Sequence, residues 1–372
     1  MGSFGLTLAN RGVLLGAVTP SELLDLGEAA DRSGAFQSLW VGDSILAKPR
    51  LESVIVLGAL AGRTRRARLG VACMASFPHR HPVLLALQWS SLDVLSNGRA
   101  LLVACIGGSD EMSAAQALEH RTMGVTSKDR IARLEEGVAL LRRLFAGERV
   151  THHGRFHQLD GVAIEPRPIQ RPLPIWIASN PTTVTYKVGQ AVDRRNVERS
   201  FRRVARLADG WMTNKIPPAV FAQQWAIVRE MAAEEGRDPD ALGNVLYHNI
   251  NINPDRRQAL EESTRFLNEY YTANFTPAFV EAWTTMGTPA ECVEQFEAYF
   301  AAGVQEITVR LASWNQRHQF ERFVSEVAPA SARGSAQTLQ HAALRIGYMR
   351  IHRGFRSAFR PLESHALPGG ST

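Results

Sequence analysis

Residues 19–41 read TPSELLDLGEAADRSGAFQSLWV, and this stretch contains one complete helix–strand unit. Thr19 is a typical N-cap, a proline follows it, and Glu22 stands three residues after the cap, which together predict the start of a helix. Gly34 predicts the end of that helix. Ser38–Val41 is a short apolar run that predicts a buried strand.

The same order of signals returns near the other end of the sequence, in residues 288–309. Thr288 and Glu291 repeat the N-cap and its partner. Gly303 lies 15 positions after Thr288, as Gly34 lies 15 positions after Thr19, and a predicted strand follows. Between the two units, short apolar runs and amphipathic helices continue to alternate. The pattern predicts eight strands: Phe4–Ala9, Ser38–Val41, Arg68–Met74, Ala100–Ile106, Ile175–Ala178, Asp209–Thr213, Val245–Ile252 and Glu306–Val309.

Strands separated by helices pair in parallel through right-handed crossovers. Eight such units favour a closed (β/α)8 TIM barrel, an α/β fold, over an open doubly wound sheet. An open nucleotide-binding sheet would place a GxGxxG turn after the first strand, and residues 10–12 provide none. Segment 107–128 is predicted as a loop.

Two insertions, after the fourth and seventh strands, interrupt the alternation. Residues 148–174 predict a small hairpin and an extended crossing, and residues 253–287 predict a helix. Insertions after barrel strands are where substrate pockets are built. The second insertion is rich in aromatic residues, including Tyr270, Tyr271, Phe275, Phe279 and Trp283.

Charge divides the chain into a barrel domain, residues 1–330, and a basic C-terminal extension, residues 331–372. The extension holds six arginines and one acid, which is 6 − 1 = +5 of the total net charge of +6. The nearly neutral domain has no basic stripe, so no nucleic-acid partner is expected. No apolar stretch of about 18 residues and no secretory signal are found, which predicts a cytoplasmic protein without a membrane span.

The predicted strand ends carry few groups that titrate, and Asp43 is the one carboxylate among them. Hydrolysis by two carboxylates is therefore disfavoured, and no GxSxG elbow supports a serine hydrolase. The His79-Arg80-His81 run lacks the further histidine and aspartate that a zinc site would need, so no metal is expected. His152, His153 and His157 are predicted to be solvated surface residues.

Small and hydrogen-bonding residues at the strand ends suit a large planar ligand with a phosphate tail instead. Gly107 and Gly108 expose their backbone, and Asn180 and Thr183 stand near a helix start, where donors meet anions. Arg130 adds a possible charge-assisted contact. A site with few acids and a flat, phosphate-bearing ligand is typical of a cofactor that carries the chemistry itself.

Several motifs occur in the order known from one family: SLWVGD (38–43), RLG (68–70), HP (81–82), LDVLSNGR (92–99), PIWI (174–177), ADGW (208–211) and GTP (287–289). The chain resembles the bacterial luciferase-like family of flavin- and deazaflavin-dependent oxidoreductases over about residues 1–330. The resemblance implies a TIM barrel, often dimeric, that uses reduced FMN or coenzyme F-420 (F420).

The resemblance also implies roles for individual residues. Asp43 matches an acidic position and Ser44 stands where relatives carry a working histidine, so these two are the candidate catalytic residues. Ser109 stands where sugar-phosphate dehydrogenases of the family carry a catalytic glutamate, and a cis peptide is implied at Ala72–Cys73. The cofactor-binding candidates are Ala75, Ile106 and Gly107 for the ring, and Arg130, Ser179, Asn180 and Thr183 for the phosphate.

Three functions follow as hypotheses. The first is a monooxygenase that uses reduced FMN, supplied by a separate flavin reductase, and O2 to oxygenate a small organic substrate. The alternative is an F420-dependent oxidoreductase that transfers hydride. A third, of another class, is a flavin-binding barrel without catalysis. Gly107 also departs from the relatives, since luciferase carries a phosphate-binding arginine at that position. The departures at Ser44, Gly107 and Ser109 speak against light emission and against glucose 6-phosphate oxidation, and a homodimer is expected.

Overall fold

The computed structural model describes residues 2–181 and 194–331 and has a closed parallel barrel at its centre. Eight strands pair in the order β1–β2–β3–β4–β7–β8–β9–β11 and return to β1, which confirms the predicted fold. The strands are β1 Ser3–Leu8, β2 Ser38–Val41, β3 Arg68–Val71, β4 Ala100–Ala104, β5 Val150–His153, β6 Gln158–Val162, β7 Ile175–Ala178, β8 Gly210–Asn214, β9 Gly243–Ile252, β10 Thr284–Gly287 and β11 Glu306–Leu311.

Helices cover the outside of the barrel and begin where the sequence signals place them. Thr19 and Thr288 both form full capping boxes, with Glu22 and Glu291 respectively, and Gly34 ends the first helix at φ 71°. The helices are α1 Pro20–Ser33, α2 Ser53–Arg63, α3 Pro82–Ser96, α4 Ala114–Thr122, α5 Arg130–Phe145, α6 Arg194–Leu207, α7 Pro218–Glu234, α8 Arg256–Tyr271, α9 Pro277–Glu281, α10 Pro289–Ala301 and α11 Gln316–Arg322.

Two segments differ from the sequence prediction. The predicted loop 107–128 contains α4, a short helix whose apolar residues are too few to mark a buried face. The insertion 253–287 adds α9 and the strand β10, which pairs with the end of β9. The predicted hairpin in 148–174 is confirmed as the antiparallel pair β5 and β6.

The core consists of three apolar clusters, one of which joins Ala9 and Ala312, just after β1 and β11, to Phe266 and Tyr270 of α8. A large apolar layer lies between the barrel and its helices, and a smaller one fills the barrel interior around Trp40, Trp176 and Met212. Because aromatic side chains fill the interior, ligands can reach the barrel only at its ends. In a parallel barrel the working end is the carboxyl end of the strands, called the mouth below.

Part of the predicted organisation lies outside the described residues. The C-terminal extension 331–372 is described only at Ser331, so its separation from the barrel domain 1–330 stays a prediction. In the described part of the chain, no helix combines the length and apolar character needed to cross a membrane.

Candidate functional site at the barrel mouth

Asp43 follows β2 at the mouth and is fully engaged by protein partners. Its Oδ1 accepts hydrogen bonds from Ser53 Oγ at 2.8 Å and from Arg80 Nη2 at 3.3 Å, while Oδ2 accepts from the Ser76 amide at 2.7 Å. These contacts join the ends of β2 and β3 to the start of α2. The catalytic role predicted for Asp43 stays a prediction.

Ser44 and its loop wrap around the carboxylate of Glu119, a buried residue of α4. Glu119 Oε2 accepts from Ser44 Oγ at 3.1 Å and from the three successive amides of residues 45–47 at 3.0, 2.5 and 2.8 Å. Burial opposes ionisation, but the Ala47 and Leu46 amides outweigh it and lower the pKa of Glu119. Ser44 is thus held between Glu119 and the Lys48 amide, which donates to its Oγ at 2.9 Å.

The histidines of the mouth do not converge as metal ligands would. The side chain of His79 is buried and lies 4.0 Å from Glu119, and burial lowers its pKa to about 4, so the ring is neutral at pH 7. His81 instead caps α3 by accepting from the Val83 amide. The surface prediction is wrong for His157, which is 8% exposed because its ring packs edge-on against His81.

Small residues line the space between β3 and β4. The Ala72–Cys73 peptide bond is cis, as the resemblance implies. Gly107 has φ 69°, and a side chain there would meet the Ala75 carbonyl oxygen at 2.6 Å, so only glycine fits. Cys73 and Cys105 lie side by side: their hydrogen bond, together with burial, raises the pKa of the Cys73 thiol and keeps it neutral.

Arg130 is buried at the start of α5 and turns back onto the loop after β4. Its Nη1 donates to the carbonyl oxygens of Ile106 and Gly107 at 3.1 and 2.8 Å, and its Nε donates to Ser127. Among the described residues, Arg130 forms no ion pair. The structure therefore brings Arg130, Ile106 and Gly107 together around one positive charge that has no ion-pair partner in the described chain.

The remaining phosphate candidates follow β7, the neighbour of β4 in the barrel. Ser179 Oγ lies 2.7 Å from Ser200 Oγ, and Asn180 Nδ2 donates to Asn214. The Oδ1 atom of Asn180 is buried and has no hydrogen-bond partner in the described chain. Thr183 lies outside the described residues.

Across the mouth, Arg310 of β11 is 1% exposed and is surrounded by three tyrosines. Its guanidinium lies 4.0 Å from the ring centre of Tyr270, and its Nε donates to Tyr247 Oη. The hydroxyls of Tyr247 and Tyr271 are 2.5 Å apart. Burial would raise the pKa of Tyr270, but the charges of Arg310 and Arg50 lower it.

Three further cations lie beside this tyrosine cluster. Lys48 Nζ lies 5.3 Å from the ring centre of Tyr271, and Arg50 lies 5.7 Å from that of Tyr270. Arg11, at 9% exposure, donates to the Pro49 carbonyl. Burial and the charges of Arg50 and Arg11 lower the pKa of Lys48 to about 8, although Cys73 and Glu119 oppose the shift. Arg11, Lys48, Arg50 and Arg310 are called the cation group below.

Sequence reasoning anticipated only part of this site. The aromatic insertion was expected near the substrate pocket, and Tyr271 and Trp283 do pack at the mouth, with ring centres 5.5 Å apart. Glu119 and Lys48 were missed because neither follows a strand directly. Arg310 is an arginine near the end of a strand that faces the barrel interior, which is a usable signal since charged residues are rarely fully buried.

With this geometry in view, comparison with known proteins identifies the family. The model of the luciferase-like monooxygenase family matches residues 1–193 and 196–306. The chain belongs to this family, and it is an oxidoreductase of the luciferase-like type.

Individual relatives add detail about what the chain is similar to. An F420-dependent glucose-6-phosphate dehydrogenase of Nakamurella multipartita is 26% identical over 341 residues, covering 83% of this chain and 92% of the relative. An F420-dependent secondary alcohol dehydrogenase in complex with an F420-acetone adduct superposes with a TM-score of 0.72 at 16% identity, covering 89% and 99%. A monooxygenase from Streptomyces bottropensis superposes with a TM-score of 0.71 at 22% identity, covering 88% and 99%.

Proposed function

We propose that this protein is an F420-dependent oxidoreductase that transfers hydride to or from a small organic molecule. The observation that carries the proposal is the similarity over 83% of the chain to relatives named as F420-dependent dehydrogenases. Ser44 and Ser109 differ from the family's catalytic histidine and glutamate. The proposed substrate is therefore not glucose 6-phosphate.

The residues on the β4–β7 side of the mouth fit such a cofactor. A buried Arg130 without a carboxylate partner, next to Asn180 with an unpartnered Oδ1, suits a phosphate group and its hydrogen-bonding neighbours. When bound, F420 supplies the hydride donor or acceptor, while Arg130, Ser179 and Asn180 hold its tail and Ala75, Ile106 and Gly107 border its ring.

The test is a parallel anaerobic titration of the purified full-length protein with F420 and with reduced FMN, followed by mixing with O2. We expect F420 to bind more tightly and the F420 complex to consume no oxygen. Tight binding of reduced FMN alone, followed by oxygen uptake, would overturn the proposal.

An FMN-dependent monooxygenase is the second candidate. It is favoured by the family description itself and by the fold shared with the Streptomyces monooxygenase. This candidate alone calls for a flavin reductase as a partner, and it predicts oxygen uptake that depends on substrate. A protein that binds either cofactor but turns over none of a panel of alcohols, aldehydes and ketones would instead support a non-catalytic flavin-binding barrel.

Arg130→Ala tests the proposed phosphate position. Loss of a charge-assisted hydrogen bond should weaken F420 binding by about 1.5–3 kcal/mol, measured by quenching of F420 fluorescence. Arg133→Ala is the matched control because Arg133, on the same helix, packs on Phe156 instead. Equal F420 affinity in Arg130→Ala and the wild type would show that the phosphate lies elsewhere.

We further propose that the protein is a homodimer formed through α2 and α3. Ile55 on α2 is 73% exposed, and Leu84 and Leu95 on α3 are 55% and 67% exposed, which is unusual for neighbouring helices on one surface. The double variant Ile55→Glu/Leu95→Glu should elute as a monomer in size-exclusion chromatography with light scattering. Ile227→Glu, on α7, is the control, and a monomeric wild type would refute the dimer.

A further inference from the structure

The cation group concentrates positive charge without a paired carboxylate on the side of the mouth formed by β11, β1 and β2. Among the described residues, Arg11, Lys48, Arg50 and Arg310 form no ion pair with any carboxylate. Two acids of the mouth bind other groups: Asp43 binds Ser53, Ser76 and Arg80, and Glu119 binds the amides of residues 45–47. Buried or half-buried like charges repel one another unless a counter-charge joins them.

Two members of the group have donors to offer. Arg310 is almost completely buried, yet its Nη1 has no hydrogen-bond partner in the described chain, which is a costly state for a charged group. Lys48 Nζ likewise forms no hydrogen bond or ion pair there and lies 5.3 Å from the ring centre of Tyr271. Both cations lie over the ring of Tyr271, Arg310 at 5.8 Å and Lys48 Nζ at 5.3 Å from its centre, so an oxyanion bound beside this ring would accept from both donors.

The position of the group separates it from the proposed cofactor phosphate. Arg130 and Asn180 follow β4 and β7, whereas Arg310 lies near the end of β11 and Lys48 follows β2. In the strand order of the barrel, β11 and β1 lie opposite β4 and β7. The small residues Cys73 and Ala75, which follow β3, are flanked by the two cationic regions. A phosphate held at Arg130 therefore leaves the cation group uncompensated.

The surface next to the cation group is aromatic. Trp283 packs edge-on against Tyr247 with ring centres 5.7 Å apart and lies 5.5 Å from Tyr271. Phe275 and Phe279 continue this wall as a stacked pair 4.5 Å apart. A cationic surface next to an aromatic surface suits a molecule that has one charged end and an apolar body.

We propose that the cation group binds the carboxylate or phosphate of an organic anion whose apolar body packs against Tyr271 and Trp283, and that such anions are the substrates of the enzyme. The anion site stands on the contacts described here, and its role as the substrate site rests on the proposed function. The hydroxyl or carbonyl that exchanges hydride would lie toward Cys73 and Ala75, between the anion and the cofactor.

The test uses benzoate and phenyl phosphate as anionic probes and benzamide as the neutral match of benzoate. Each is titrated into the cofactor-free full-length protein and followed by tryptophan fluorescence, because Trp283 belongs to the site. We expect at least one anion to bind about 10-fold or more tightly than benzamide, the effect of one charge-assisted contact. The stronger of the two probes identifies carboxylate or phosphate as the preferred charged end.

Lys48→Met should weaken binding of the preferred anion about 10-fold or more and leave benzamide unchanged. Arg257→Gln is the control, since Arg257 is an exposed residue at the N-terminal end of α8, whereas Tyr271 ends that helix. Arg310→Lys keeps the charge but loses the planar fork, and it should also weaken anion binding. If Arg310→Lys fails to fold, Lys48→Met alone decides the outcome because Lys48 lies on a half-buried loop.

Anion binding should also depend on pH through Lys48. Since the charged form binds the anion, affinity should fall as pH rises through about 8, and Lys48→Arg should remove this fall because arginine stays charged. The groups that face Lys48 and bear on its charge are Arg11, Arg50, Cys73, Glu119 and Tyr271, and Arg310 lies over the same Tyr271 ring.

Equal affinity for benzamide and both anions, or anion binding that Lys48→Met leaves unchanged, would overturn the anion site. F420 binding is measured on the same protein, so the two proposals fail separately. An anion site that depends on Lys48 in a protein that does not bind F420 would uphold the site and overturn the F420 function alone.

Discussion

Glu119→Ala should lower the free energy of unfolding by about 3 kcal/mol or more, the largest effect that we expect of a single substitution at the mouth. The carboxylate accepts hydrogen bonds from Ser44 Oγ and from three successive backbone amides, and alanine would leave all four donors without their acceptor. Water can reach only part of this loop, since Ala47 is buried. The measurement is chemical unfolding at pH 7.

Two comparisons make the Glu119 result specific. Glu111→Ala changes an exposed acid in the same segment and should have little effect on stability. Because the pKa of Glu119 is lower in the folded protein than its ordinary value of about 4.3, its contribution is present above that value and is lost as pH falls below it. The stability gap between the wild type and Glu119→Ala should therefore shrink in acid. A gap below about 1 kcal/mol at pH 7, the worth of an ordinary hydrogen bond, would contradict this account.

Asp43→Ala should destabilise the protein by about 2–4 kcal/mol. The substitution removes the acceptor of the buried Ser53 hydroxyl and of the Ser76 amide, and it leaves Arg80 with Glu52 as its one carboxylate. Asp25→Ala is the contrasting control because its exposed ion pair with Arg63 should be worth about 1 kcal/mol or less. Thermal unfolding of both variants gives the comparison, and equal effects would contradict it.

The same residue also separates positioning from catalysis. Asp43→Asn keeps an acceptor oxygen for Ser53 or Ser76 and loses the charge. If Asp43 only holds the loops in place, the asparagine variant should retain the pH profile of kcat/KM once a substrate is known. Loss of an acidic limb from that profile would instead support the catalytic role predicted from the resemblance.

The barrel could be predicted from the sequence because its signals are local. The capping boxes at Thr19 and Thr288 join residues three positions apart, and the glycine that ends α1 takes up the left-handed backbone that glycine favours. These signals mark where each helix begins and ends without reference to the rest of the chain. Helix α4 was not predicted because its sequence has no periodic pattern of apolar residues. Its position depends instead on Glu119, which binds the distant loop 44–47.

The sequence by itself determined the closed parallel barrel, its mouth as the working end, and the family to which the chain is similar. Only the tertiary structure decided which charges are compensated. Ser44 and Glu119 are 75 positions apart, and Tyr247 and Arg310 are 63 apart, so no local pattern links either pair. Helix and strand signals act over a few residues, whereas the energy of a buried charge depends on every group that folding brings beside it. For that reason the carboxylate of Glu119 is satisfied, whereas the cations around Arg310 have no carboxylate partner among the described residues.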